Sequence, residues 1–222
     1  MTDRGDDGDA DRDEFSRARE RLVDRLRERG HVERASSLAA LRAVPRHEFV
    51  PGGSRGRAYR DEPLPIDEGQ TISAPHMVGI MLDLLDLEPG DRVLEVGTGC
   101  GYHAAATAEV VGPGTVYSVE YHDVLADEAE ARLDRLGYDV HVRVGDGHGG
   151  WPEHAPYDAA YLTCAPEAIP EAVIEQVRPG GVVVGPVGRG RQVLVRLRKR
   201  TDGSVEREEH GAVRFVPMRD GN

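Results

Sequence analysis

The run Val93-Leu94-Glu95-Val96-Gly97-Thr98-Gly99-Cys100-Gly101-Tyr102 constrains this chain more than any other segment. An apolar strand ending in an acid breaks into a glycine turn and then opens a helix. Glycine lets backbone pass close to a ligand where a Cβ would clash. The helix behind the turn aims free N–H groups at whatever rests on it, which suits a carboxylate or a phosphate. Turns of this kind hold adenosine-containing cofactors. A dinucleotide fingerprint needs G-x-G-x-x-G. Here the third glycine comes one residue early, at Gly101, and Tyr102 occupies the position the dinucleotide pattern reserves for glycine. A dehydrogenase is therefore the poorest reading of the turn.

Around it the chain alternates strand and helix. Arg92–Val96, Thr115–Val119, Val140–Val144, Ala159–Thr163 and Val182–Val187 have the apolar content of strands. Asp123–Leu136 carries Leu125, Ala129, Leu133 and Leu136 at helical spacing, and Pro170–Val177 forms another helix. Gln192–Arg198 and Val213–Pro217 read as closing antiparallel strands. The expected fold class is α/β, a doubly wound and mostly parallel sheet with helices on both faces. Three segments precede it. Phe15, Ala18, Leu22 and Leu26 mark an amphipathic helix ending near Gly30, and Ser36–Ala43 a shorter one closed by Pro45. Pro51–Pro65 is irregular and suits a loop over a site. Ser73 and Pro75 open a third helix, whose apolar face holds Met77, Ile80, Met81, Leu84 and Leu85.

The expected organisation is an acidic, disordered tail at 1–14, N-terminal helices and a closing segment at 15–91, and the sheet core at 92–222, together one structural domain. The net charge of -12 argues against binding a nucleic acid backbone. No apolar run approaches a membrane span and no signal-peptide core opens the chain, so a cytoplasmic protein is expected. Lys199 is the single lysine among 28 basic residues, a composition that fits either strong salt or an arginine-favouring genome. Cys100 and Cys164 have no metal spacing and are read as free thiols; no metal site is expected.

Ligands of such sheets sit beyond the C-terminal strand ends. Gly97, Thr98 and Gly99 follow the first strand. Glu120 ends the second, about twenty residues on, where an acid accepts both hydroxyls of a ribose. Asp146-Gly147 follows the third, where Asp can accept from an adenine amino group. Taken singly, Glu120 is an exposed strand-end acid and Asp146-Gly147 a turn.

Glycine-x-glycine-x-glycine after a strand ending in an acid resembles S-adenosylmethionine-dependent methyltransferases of Rossmann-like fold. More specific are Val44-Pro45-Arg46-His47-Glu48-Phe49-Val50-Pro51, Gln70-Thr71-Ile72-Ser73-Ala74-Pro75-His76-Met77, Gly145-Asp146-Gly147, Ala155-Pro156-Tyr157-Asp158 and Arg178-Pro179-Gly180-Gly181. With these the chain resembles the protein-L-isoaspartate (D-aspartate) O-methyltransferase family from about Glu14 to Met218. The resemblance implies methyl transfer from S-adenosyl-L-methionine to the free α-carboxylate of isoaspartyl residues, leaving S-adenosyl-L-homocysteine and starting repair through a succinimide. Its partners would be damaged proteins and peptides, and it would be a monomer without nucleic acid or membrane partners. It implies Ser73 as the active-site serine and Thr71 and Ile72 as residues closing the pocket. Gly97, Thr98, Gly99 and Gly101 would hold the methionine part, Glu120 the ribose, and Asp146 with Gly147 the adenine. Ser73, His76, Val213, Phe215 and Val216 would meet the substrate. Cys100 and His103 depart from the family, where serine and glutamine are frequent.

Alternatives stay open at this point. Ser73 alone is better read as a helix cap, His76 as a structural histidine, Trp151 and Tyr157 as packing residues, and Arg198-Lys199-Arg200 as solvated rim. A methyltransferase acting on a small molecule, or a non-catalytic cofactor binder, would keep the same glycine turn. The absence of an Asn/Asp-Pro-Pro-aromatic run at Thr163-Cys164-Ala165-Pro166 counts against amino methylation of nucleic acid.

Overall fold

A computed structural model describes residues 7–219, with side chains from 13 onward. The N-terminal part comprises α1 (Asp7–Glu28), α2 (Ala35–Ala43), a two-stranded hairpin of β1 (Leu64–Pro65) and β2 (Thr71–Ile72), and α3 (Pro75–Leu85). The core follows as β3 (Val93–Val96), α4 (Tyr102–Val111), β4 (Val116–Glu120), α5 (Asp123–Leu136), β5 (Val140–Val144), β6 (Tyr157–Leu162), α6 (Glu171–Gln176), β7 (Val177–Val187), β8 (Gln192–Lys199) and β9 (Val205–Val213). The seven core strands form one sheet in the order β5-β4-β3-β6-β7-β8-β9. The first five are mutually parallel and the last two antiparallel. The chain winds outward from β3 in one direction, then returns to β6 on its other side. The tips of β3 and β6 therefore flank the switch point where such sheets bind ligands.

Three elements differ from the sequence reading. Helix α1 reaches back to Asp7, into the segment read as tail. Apolar periodicity starts at Phe15 and does not register the residues before it. The rest of that expected tail, residues 1–6, lies outside the described residues. Strand β7 already begins at Val177, where α6 ends. The last strand is Val205–Val213, and Val213–Pro217 is not a closing strand. The alternation of Val205–Val213 is hidden because eight of its nine residues are exposed on the sheet edge and charged side chains suffice there.

Alternate strand residues feed an apolar layer on each face of the sheet. Val93, Val116, Ala159 and Tyr161 pack with α3 and α4, whereas Leu94, Val96, Val119 and Leu162 pack with α6. One polar row crosses the first layer. Glu95 pairs in register with Ser118 on β4 and with Tyr161 on β6, and accepts a hydrogen bond from each hydroxyl at 2.5 and 2.9 Å.

Two basic residues act as internal anchors. Arg46 is fully buried and donates to the carbonyls of Ala58, Glu62 and Ser73 at 2.6, 3.1 and 3.0 Å. It ties the irregular loop after α2 to the entry of α3. Lys199 is not solvated rim. Its ammonium donates to the carbonyls of Ile174, Glu175 and Val177, closing the open end of α6 with three donors on one nitrogen. Trp151 and Tyr157 are packing residues as expected. The Tyr157 hydroxyl donates to the Trp151 carbonyl at 2.6 Å, and the Arg143 guanidinium stacks on the indole at 4.6 Å.

Candidate active site

The site is built at the tips of β3, β4 and β6. Gly97 leaves β3 at φ +99°, and a Cβ there would run into the Thr163 hydroxyl, which donates to the Gly97 carbonyl at 2.5 Å. Both constraints demand glycine. The Glu120 carboxylate, at the tip of β4, accepts from the Gly99 N–H at 2.8 Å and the His122 N–H at 3.0 Å. One oxygen goes to each, so each keeps lone-pair capacity toward the cleft. At Gly147 a Cβ would strike Val96, so backbone and strand tip are already in contact.

Three recesses with shared lining residues surround this turn. The first, of about 570 Å³, runs over Gly97, Gly99, Glu120 and Gly147. The second, of about 310 Å³, lies between the glycine turn and the start of α4 and reaches Ile72, Ser73 and His103. The third, of about 860 Å³, opens between α3 and the end of β9, with Ser73, His76, Val213 and Phe215 in its wall. Thr71 and Thr163 border all three, and Ser73 borders the second and third. A long ligand can therefore lie across the strand tips with one end meeting a second ligand at Ser73.

The model of protein-L-isoaspartate(D-aspartate) O-methyltransferase matches residues 17–222. The chain is 53% identical over 208 residues to protein-L-isoaspartate O-methyltransferase 2 of Archaeoglobus fulgidus, covering 93% of this chain and 94% of that one. It is 52% identical to the Methanopyrus kandleri protein-L-isoaspartate O-methyltransferase, with 92% of each covered. The chain belongs to this family. A solved protein-L-isoaspartate O-methyltransferase superposes with a TM-score of 0.84 at 31% identity, over 92% of this chain and 66% of that one. A Plasmodium falciparum structure in complex with S-adenosyl-L-homocysteine shares the fold, with a TM-score of 0.78 at 22% identity. The expected α/β class is borne out, and the family uses S-adenosyl-L-methionine. The first recess fits such a group, because Gly97 and Gly147 leave no room for a Cβ beneath it and Glu120 faces it with acceptor capacity.

The residues assigned through the family separate into those the fold gathers and those it does not. Thr71, Ile72, Gly97, Thr98, Gly99, Glu120 and Gly147 line the first or second recess. Gly101 lines none of the three. It stands behind the turn at φ +87°, with the Leu133 side chain 3.2 Å from where a Cβ would be. Asp146 also lines none of the three. Its carboxylate accepts from the His148 backbone N–H at 2.9 Å and meets the His148 ring at 2.8 Å, capping a short turn. Val216 borders the first recess and not the third, apart from Val213 and Phe215. Its carbonyl accepts from the Ala165 N–H at 2.8 Å, which folds 214–219 back across the strand tips as a strap. The Gln192 side chain clamps that strap by exchanging both amide hydrogen bonds with the Phe215 backbone, at 2.6 and 3.0 Å.

Ser73 is not a helix cap. The N-cap position is Ala74, and the Ser73 hydroxyl makes no hydrogen bond among the described residues. His76 is held by Asp61, which accepts from both its backbone N–H at 2.9 Å and its ring at 2.8 Å. Burial would raise the Asp61 pKa, but the bonds from His76 outweigh it and hold the group below the usual carboxylate range. Thr163, Cys164 and His122 also reach the cleft. Their signal was their place at the ends of β6 and β4, and the strand-end rule applied to Glu120 would have found them.

The polar groups behind the turn are neutral. Burial pushes the Glu95 carboxyl up to about 8 and the His103 imidazole down to about 3. Burial also raises the Cys164 thiol to about 12, which removes thiolate chemistry from the cleft. Cys100 and Cys164 are both free thiols. Among the described residues no group of three or more His, Cys, Asp or Glu is placed to hold a metal ion.

Proposed function

We propose that the first and second recesses hold S-adenosyl-L-methionine and the third an isoaspartyl segment, with methyl transfer at Ser73. The relatives are named for this activity on L-isoaspartate, and one observation carries its placement. Ser73 has a free hydroxyl in the wall that divides the recesses. The substrate α-carboxylate has a pKa near ~3.5 and is ionised at neutral pH, so it needs no general base to become a nucleophile. When bound, the cofactor supplies an electrophilic methyl group on sulfur; the carboxylate oxygen takes it, and sulfur keeps the bonding pair as a thioether. The protein's tasks are alignment and exclusion of water, and alignment of this sort supplies on the order of 7–11 kcal/mol.

Ser73 donates to the substrate carboxylate and fixes the attacking oxygen. Thr71 and Thr163 border both ligands and hold the passage narrow. Glu120 accepts from the ribose hydroxyls, and Gly97, Gly99 and Gly147 let the cofactor lie against backbone. Val213 and Phe215, with His76 opposite, flank the peptide. The neighbouring amide nitrogen then attacks the ester carbonyl and expels methanol, giving a succinimide that water opens, in part to normal aspartate. Residues 15–91 act as the closing segment over the sheet core.

The partners are damaged proteins and peptides, and the enzyme works as a cytoplasmic monomer without nucleic acid. No helix among the described residues is long and apolar enough to cross a membrane, and the net charge of -12 repels polyanions. The test is methyl transfer from labelled cofactor to matched peptides carrying aspartate or isoaspartate. Base-labile label on the isoaspartyl peptide alone is the expected result. Equal labelling of both peptides, or base-stable label on nitrogen, overturns the reading.

A further inference from the structure

His103 presents a problem that the scheme above leaves unsolved. It is the second residue of α4, only 6% exposed, and neither ring nitrogen has a hydrogen-bond partner. Its ring rests on Tyr161 with centroids 4.3 Å apart. The Tyr161 hydroxyl is already committed to Glu95 and Thr107, so the tyrosine offers the imidazole no hydrogen bond. Buried polar atoms in native proteins are almost always paired, and an orphan calls for a ligand or a water. His103 borders the second recess together with Ser73, Gly97, Thr98 and Gly99.

The chemistry of that recess identifies the partner. None of the residues bordering it carries a carboxylate, so a cation entering it meets no anionic side chain. A neutral imidazole has one donor and one lone-pair acceptor. The amino-acid end of S-adenosyl-L-methionine brings an ammonium, which can only donate, and a carboxylate, which can only accept. Backbone N–H groups at the start of α4 can serve the carboxylate; the ammonium needs an acceptor. We propose that His103 is a cofactor-binding residue whose imidazole lone pair accepts a hydrogen bond from the α-ammonium of S-adenosyl-L-methionine. This rests on the cofactor placement proposed above. It adds a contact that selects for a cofactor with an intact amino-acid end and draws that end into the second recess beside Ser73.

The test is calorimetric binding of S-adenosyl-L-homocysteine and of 5′-methylthioadenosine, which lacks the amino-acid part, to the full-length protein. His103→Leu is expected to weaken S-adenosyl-L-homocysteine at least tenfold and to leave 5′-methylthioadenosine within twofold. His103→Gln, whose side-chain carbonyl can accept, is expected to recover most of the loss. Unchanged S-adenosyl-L-homocysteine binding in His103→Leu overturns the proposal. So does an equal loss of both ligands, which marks a purely structural histidine. The wild-type protein supplies a measurement independent of variant folding. One ring-nitrogen NMR shift of His103 should move with S-adenosyl-L-homocysteine and stay still with 5′-methylthioadenosine, and a ring that answers neither or both refutes the contact. Glu120→Gln separates the underlying reading: if it leaves 5′-methylthioadenosine affinity unchanged, the ribose placement fails, whatever His103 does.

Discussion

The two walls of the site are made in opposite ways. The wall proposed for the cofactor is local: Gly97 to Tyr102 is one short stretch, fixed by the tip of its own strand, by the Glu120 acceptor and by the Thr163 donor at the ends of the adjacent strands. The wall proposed for the substrate brings together Ser73 and His76 from before the sheet and Val213 and Phe215 from its far edge. It stands on anchors distant in sequence, namely Arg46 under Ser73 and Gln192 under Phe215. A cofactor shared by many enzymes can be met by a backbone pattern; a peptide acid calls for side chains assembled from separate segments. Damage to the first wall should therefore abolish binding of the cofactor, whereas damage to the second should leave it bound and idle.

The largest effect belongs to Gly97→Val. It forces a side chain to φ +99° and into the Thr163 hydroxyl, adding backbone strain to overpacking. Together these cost several kcal/mol, so S-adenosyl-L-homocysteine affinity should fall ~10³-fold by calorimetry. Affinity within tenfold of wild type would mean that the turn is not the cradle.

Next is Glu95, whose effect falls on stability. Its folded pKa of about 8 lies above the ordinary value of 4.5 because burial disfavours the charged form. Below about 4.5 both folded and unfolded chains hold the proton. Between 4.5 and 8 the unfolded chain releases it and the folded chain keeps it, so this group costs stability as pH rises through that window. Glu95→Gln should remove the slope and gain on the order of a few kcal/mol over wild type by pH 8 in urea unfolding. His103 titrates in both proteins and cancels from the comparison. Parallel stability curves from pH 5 to 8 would show that Glu95 is charged in the fold.

Ser73→Ala addresses the second wall directly. Turnover on an isoaspartyl peptide should fall ~10²-fold through lost alignment, with S-adenosyl-L-homocysteine affinity within threefold. Single-turnover kinetics read the first and calorimetry the second. Turnover within threefold of wild type would leave Ser73 as a residue of the wall only.

What could be read in the sequence follows the same division. The glycine turn, Glu120 and the alternation of strands and helices are local signals, and the chain folds as they indicate. Asp146 had the right residue type at the right strand end, yet it turns to His148, because an Asx-type cap two residues away competes well with a distant ligand. Thr163 stands at a strand end without an acidic side chain to mark it, although it borders all three recesses. The strap at 214–219 could not be read as such. It makes few repetitive hydrogen bonds, and its Phe215 and Pro217, in step with Val213 at the end of β9, imitate an alternating strand. Family resemblance supplied Val213, Phe215 and Val216 together; only coordinates separate Val216 from the other two.

The smallest effect tests whether the strap is a part of the substrate wall or a passive tail. Gln192 exchanges two hydrogen bonds with the Phe215 backbone, one as donor and one as acceptor, across 23 residues. Gln192→Leu keeps comparable volume and removes both. At ~1 kcal/mol net for each bond, the strap loses ~2 kcal/mol, about the energy that a thirtyfold change in affinity represents. Phe215 borders the third recess, so KM for an isoaspartyl peptide should rise by up to about thirtyfold. The strap continues through Val216 and Met218 into the first recess, where Ala165 still holds it by backbone bonds at 2.8 and 2.9 Å on the far side of Phe215. S-adenosyl-L-homocysteine affinity should then change by less than about twofold. An equal loss of peptide and cofactor would show that the strap moves as one rigid piece and that the two walls share a single support.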